Sequence, residues 1–182
     1  IAELRPEEDV GAGRQAHAGG DGIGHHRHQR GIGAFEIDDA AQLHLEQVLH
    51  PRLDDTDLPV LTTGLAASPG AAVGGVVFNA DDAVAAAARG ESVILVRKET
   101  NPEDIHGMLA ASGILTSRGG LVSHAAVVAR GWGKPAIVGA DAVKVVGREF
   151  RVGETVVRHG DVISIDGSSG EVVLGAAPLR LP

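Results

Sequence analysis

Between Ala71 and Val138 the chain alternates short β-branched runs with Ala-rich stretches that carry helix start and stop signals, and this alternation restricts the fold more than any other feature. AAVGGVVF (71–78) reads as a strand. Asn79 stands at an N-cap position, Asp81 and Asp82 suit the positive end of the helix dipole, and Gly90 closes the helix that begins DDAVAAAAR. SVILVR (92–97) is a second strand by its β-branched content. Asn101-Pro102-Glu103-Asp104 then opens the helix IHGMLAA, with a cap, a proline in the first turn and acids behind it. GILT (113–116) is a third strand, and a Gly-Gly turn leads to HAAVVAR, with Gly131 as the expected C′ glycine. Beyond it AIVG, AVKVV, TVV, VISID and EVVL read as strands between glycine turns. An α/β start and a β-rich finish predict an α/β fold class.

The flanks read differently. Residues 11–31 are dominated by Gly and His with Ile23 as the one large aliphatic, so residues 1–36 are expected to be a flexible N-terminal extension. His25, His26 and His28 in it have the chemistry of zinc or nickel ligands; with no carboxylate or thiolate at ligand spacing, adventitious binding is the simpler expectation and no metal residue is assigned. Ile37 to Leu49 carries apolar residues at roughly helical spacing, ended by His50-Pro51, and the acidic PRLDDTDLPV after it reads as a linker, so 37–60 is a helix plus linker. The compact unit is expected over 61–176, with 177–182 as a second tether.

With 182 residues and 43% hydrophobic content there is material for a real core, built from Ala, Val, Ile and Leu because aromatics number three Phe, one Trp and no Tyr. A formal net charge of −8 and so few stacking residues argue against a nucleic-acid partner. No apolar run approaches the roughly 20 residues of a membrane helix, no signal peptide opens the sequence, and the absence of cysteine suits a reducing cytoplasm.

The chemistry concentrates in TSRGGLVSHAAVVARG (116–131). A strand enters a Gly119-Gly120 turn, Ser123 takes the N-cap, and His124 begins a helix. Unsatisfied amides and the dipole favour an anion there, and glycine lets the backbone approach it closely. The same field disfavours an imidazolium, leaving a ring nitrogen with a lone pair able to attack phosphorus. Arg118 on the turn is placed to add a bidentate phosphate contact. A packing or capping histidine remains the alternative on these features alone. The chain carries neither the phosphate-loop glycine-lysine motif nor a G-x-S-x-G elbow. Arg97, Thr100 and Arg130 either face phosphate or serve strand and helix ends. Trp132 and Lys134 either form a docking lip or cover a helix end, and His106 and His159 read as surface or structural.

The run TSRGGLVSHAAVVARGWGKPAIVG resembles the phosphohistidine signature of enzymes that make or use phosphoenolpyruvate. GLAASPGAAVGGVVF (64–78), ILVRKETNPEDIHGM (94–108), DGSSGEVVLG (166–175) and HPRLDD (50–55) extend the likeness, specifically to pyruvate phosphate dikinase. The resemblance implies a swivelling β/β/α phosphohistidine domain with His124 phosphorylated. It takes a pyrophosphoryl group from ATP, loses the outer phosphoryl to inorganic phosphate as pyrophosphate, and delivers the other to pyruvate. ATP-binding and pyruvate/phosphoenolpyruvate-binding partner domains are implied, with Mg²⁺ held there with the substrates. No segment of this chain reads as either partner domain, so the chain alone is not expected to complete the reaction. Carriers of the phosphoenolpyruvate synthase or sugar phosphotransferase Enzyme I type are the related alternative, and a non-catalytic metal-binding or interaction module built on His25–His28 the unrelated one. Val122 stands where the dikinases carry a threonine that is phosphorylated for regulation, so that control is not expected here. Residues 1–36 carry no such resemblance.

Overall fold

A computed structural model describes residues 49–55 and 57–182. The histidine-rich extension and all but the last residue of the 37–49 helix therefore lie outside the described residues.

The main sheet has eight strands in the order β2-β12-β11-β4-β5-β6-β7-β3. They are β2 (Val60–Thr63), β3 (Leu65–Ser68), β4 (Ala71–Val77), β5 (Val93–Arg97), β6 (Gly113–Thr116), β7 (Ala136–Val138), β11 (Val162–Asp166) and β12 (Glu171–Leu174). β4 to β7 run parallel, joined through helices α1 (Ala80–Ala88), α2 (Ile105–Ala110) and α3 (His124–Trp132); β11, β12, β2 and β3 add antiparallel edges. A three-stranded antiparallel sheet, β8 (Lys144–Val146), β9 (Glu149–Val152) and β10 (Thr155–Arg158), forms a further layer.

Residues of the central strands alternate between two cores, as a two-residue period requires. Val93 and Leu95 pack with Ala83, Ala86, Ala125, Ala126 and Ala129 on the helical face. Ile94 and Val96 pack with Phe150 and Val157 of the small sheet on the other. Mixed α/β architecture is thus confirmed, with helices, large sheet and small sheet as successive layers. Alanine on the helices permits close packing: a Cβ at Gly107 would lie 2.3 Å from the Ala80 Cα, so α2 approaches α1 nearer than any side chain allows.

Most helix signals operate as read. The Asn79 side chain accepts from the Asp82 amide at 2.7 Å, and Gly90 takes a positive φ just beyond α1. Asn101-Pro102 opens a single 3₁₀ turn (Pro102–Asp104) that continues into α2, closed by an Asn101–Asp104 capping box. One boundary moves. α3 passes through Gly131 and ends at Gly133, which adopts φ 63° as its left-handed cap, so Gly131 is a helical residue and not the C′ glycine. The segments read as aperiodic tethers meet each other: β1 (Arg52–Leu53) pairs antiparallel with β13 (Leu179–Arg180).

Candidate active site around His124

Three elements build the site. β5 and β6 lie side by side with Arg97 in register with Thr116, and the pairing continues past the strand ends as the Arg118 amide donates to the Lys98 carbonyl at 2.8 Å. This carries Thr100, beyond β5, alongside the loop that leaves β6 for α3. The Thr116 hydroxyl donates to the Arg118 carbonyl at 2.7 Å and steadies that loop.

Gly119 has φ 104°, and a Cβ there would meet the Ser123 Cβ at 2.9 Å; conformation and space both demand glycine. Nothing lies within 4 Å of a Cβ built on Gly120, so the turn is open on that side. Ser123 is the N-cap, its hydroxyl accepting from the Ala126 amide at 3.4 Å. The amides of His124 and Ala125 precede the first possible intrahelical bond, which Val127 makes to Ser123, and remain available to an anion. Ser123→Ala is expected to lower unfolding stability by about 1 kcal/mol, read from denaturant midpoints.

His124 is half-buried, the first residue of α3, and its Nδ1 lies 3.2 Å from the Thr100 hydroxyl. Thr100 itself is 8% exposed, so this partner is fixed by packing. Among the described residues no hydrogen bond or ion pair engages Nε2. One ring nitrogen is thus held and the other left for chemistry. Leu121, Val122 and Val127 are exposed beside it, Val122 at 89%.

Gly119, Gly120, Ser123 and His124 lie together in the turn and first turn of α3. Arg118 is exposed and lines a groove to which none of those four contributes. Arg97 and Arg130 prove structural. Arg97 donates to the Phe78 carbonyl at 3.1 Å and pairs with Asp104 at 3.4 Å. Arg130 donates to the carbonyls of Ala67 (3.0 Å) and Leu121 (2.6 Å), bracing the loop before α3. Lys134 donates to the Leu109 and Ala111 carbonyls at the end of α2, and burial draws its pKa below the ordinary lysine value. Trp132 is 40% exposed in the last turn of α3. His106 lies 3.2 Å from Asp81 and His159 3.7 Å from Asp82, both ordinary surface pairings. The residue undervalued from sequence is Thr100: its contact with His124 spans 24 positions and rests on strand adjacency, which no local pattern announces.

The site thus combines a βα turn with an open glycine, a capped helix start and an imidazole held through one nitrogen. Residues 89–170 match the family described as "PEP-utilising enzyme, mobile domain", and the chain carries such a domain. Within that family it sides with pyruvate, phosphate dikinase. It is 54% identical over 144 residues to pyruvate, phosphate dikinase 2 of Zea mays and 55% identical over 141 residues to the enzyme of Rhizobium meliloti, each match covering 76% of this chain and 16% of the relative. The chloroplastic enzyme of Mesembryanthemum crystallinum is 53% identical over 144 residues, with 15% of its length covered. The chain therefore spans about a sixth of the curated relatives it matches. Among solved structures, an NMR solution structure of Enzyme I aligns with 47% of this chain and 31% of that one at 29% identity and a TM-score of 0.35.

Proposed function

We propose that this chain is the phosphoryl-carrier part of a pyruvate phosphate dikinase-like enzyme, with His124 as the covalent nucleophile. The observation that carries this reading is the His124 ring itself, at the start of α3 with Nδ1 against Thr100 and Nε2 unengaged.

In this reading Nδ1 carries the proton and donates it to the Thr100 hydroxyl oxygen, which leaves the lone pair on Nε2. Nε2 attacks the β-phosphorus of ATP; the N–P bond forms, the bond from that phosphorus to the α-phosphate oxygen breaks, and AMP leaves. Inorganic phosphate then attacks the outer phosphorus, pyrophosphate leaves, and phosphohistidine remains. The enolate oxygen of pyruvate takes the last phosphoryl group, giving phosphoenolpyruvate and restoring the imidazole. The free first-turn amides and the open Gly119-Gly120 turn face the phosphoryl oxygens throughout and stabilise their charge.

Swivelling follows from the same division of labour: one imidazole must visit an ATP site and a pyruvate site on partner domains. Covalent linkage to those domains would keep it at high effective concentration at both. The exposed rim of Leu121, Val122 and Val127 is the surface such a domain would present to them.

Mg²⁺ does not fit these residues. Among the described residues no three His, Cys, Asp or Glu stand together as a metal group, and the side-chain partner of His124 is a hydroxyl. Mg²⁺ belongs in this reading with the substrates in the partner domains. No helix of the described residues is long and apolar enough to cross a membrane.

Thr100 is a positioning residue, and Thr100→Val is expected to slow phosphoryl uptake about tenfold to a hundredfold, as when a group orienting a ring nitrogen is removed. Thr100→Ser should restore most of the rate, since it returns the hydroxyl without the methyl. Equal rates for the valine and serine variants would show that the hydroxyl does not orient the ring. Uptake is measured on the full chain from phosphoenolpyruvate with the pyruvate-binding barrel domain of a dikinase supplied separately.

A further inference from the structure

The far side of the parallel strand ends, away from the helices, carries a groove of about 360 Å³ between β5, β6 and the small sheet. That volume lies within the range of small-ligand sites. Val143, Val145 and Val146 supply an apolar wall, and Lys98, Arg118 and Lys144 stand around it with Asp141 as the one carboxylate.

Most described cations away from this groove are paired, Arg52 being an exception. Elsewhere Arg89, Arg97, Arg148 and Arg151 each meet a carboxylate at 2.8–3.4 Å, and Arg130 and Lys134 each donate to two carbonyls. Lys98 and Arg118 have no side-chain hydrogen bond or ion pair among the described residues, although backbone pairing sets them side by side. The Arg118 amide and the Ser117 hydroxyl both donate to the Lys98 carbonyl, at 2.8 and 3.3 Å. Lys144 spends its ammonium group on one bond, 2.6 Å to the Asp141 carbonyl. In a chain of net charge −8, two adjacent cations with no ion pair beside an apolar wall make a local positive patch suited to an anion from outside.

We propose that this groove binds an organic phosphate: a phosphoryl or pyrophosphoryl group bridging Lys98 and Arg118, joined to a flat apolar body resting on Val145 and Val146. A nucleotide has that chemistry. Arg118 offers a planar fork and Lys98 a point charge, a pairing suited to two oxygens of one phosphate. Lys98 is two residues from Thr100 and Arg118 next to Gly119, so a ligand here holds the two segments that frame His124. The site is separate from the carrier histidine and does not depend on the carrier reading.

The test is an amide-shift titration of the isotope-labelled full chain with ADP, inorganic pyrophosphate and adenosine as separate probes. ADP should give saturable shifts at Lys98, Ser117, Arg118 and Val143 to Val146. Pyrophosphate and adenosine should each bind at least about tenfold more weakly, because each supplies half of the contact. The double variant Lys98→Ala/Arg118→Ala should lose ADP affinity by about tenfold or more, and Val146→Glu, at a residue 64% exposed, should weaken it similarly by putting a solvated carboxylate where the apolar body rests. His124→Ala should bind ADP as the parent does, while abolishing phosphoryl label, so the two readings fail separately. The assignment is overturned if ADP shifts centre on residues 119–126, if the double variant binds undiminished, or if pyrophosphate alone matches ADP.

Discussion

Replacing His124 with alanine is expected to abolish acid-labile, alkali-stable phosphoryl label on the full chain, a fall on the order of 10³-fold or more to background, because no other group can take the nucleophile's place. The donor is phosphoenolpyruvate with a separately supplied dikinase barrel domain. The substitution keeps the helix: alanine is a better helix former than histidine, the Ser123 cap is untouched, and the ring is half-buried and outside both apolar cores. Circular dichroism and the thermal midpoint should therefore match the parent. A variant that labelled as well as the parent would remove His124 from the reaction.

Leu115→Ala should do the opposite, costing stability and sparing chemistry. Leu115 is completely buried in β6, between its register partners Val96 of β5 and Ile137 of β7, and packs in the core that includes Phe150 of the small sheet. Removing three carbons there leaves a cavity that β-sheet neighbours on both sides cannot collapse into, at a cost of about 2–5 kcal/mol. For a domain of this size that lowers the thermal midpoint by roughly 5–15 °C. Well below the new midpoint, label uptake at His124 should be close to that of the parent. A midpoint shift under 2 °C, by calorimetry, would mean that the sheet is not packed through β6 as described.

The parallel half of the fold was readable because its signals are local. Asn79, Asn101 and Ser123 cap helices through their own side chains, and the strands between them are continuous apolar runs, as strands covered on both faces must be. The antiparallel parts were harder to see. EFRV (149–152) is a strand whose Phe150 is buried while Arg151 is exposed and Glu149 pairs with it, a polar alternation too short to stand out between two glycines. β1 and β13 are two residues each and exist only through pairing across the whole domain, with Asp54 and Arg180 joined beside them. Gly131 misled because glycine is tolerated inside a short helix when a second glycine, Gly133, supplies the left-handed cap.

The site divides along the same line. Gly119, Gly120, Ser123 and His124 fall within one six-residue stretch, and their arrangement follows from a βα turn into a capped helix. Thr100 and the groove behind Arg118 depend on which strands are neighbours, and sequence proximity gives no hint of either. The residues alone leave phosphoryl transfer and a capping histidine both open; the likeness to dikinases, 52–55% identical, extends well beyond the turn and is what supports the proposal of the first.

The ring nitrogens of the phosphorylated chain test the central claim most directly. With histidine rings labelled with ¹⁵N, long-range proton–nitrogen spectra before and after phosphoryl transfer should show one histidine changing, His124, with phosphorus on Nε2 and a proton retained on Nδ1. Phosphorus on Nδ1 of His124, or on any other histidine, would contradict the arrangement in which Thr100 holds one nitrogen so that the other can react.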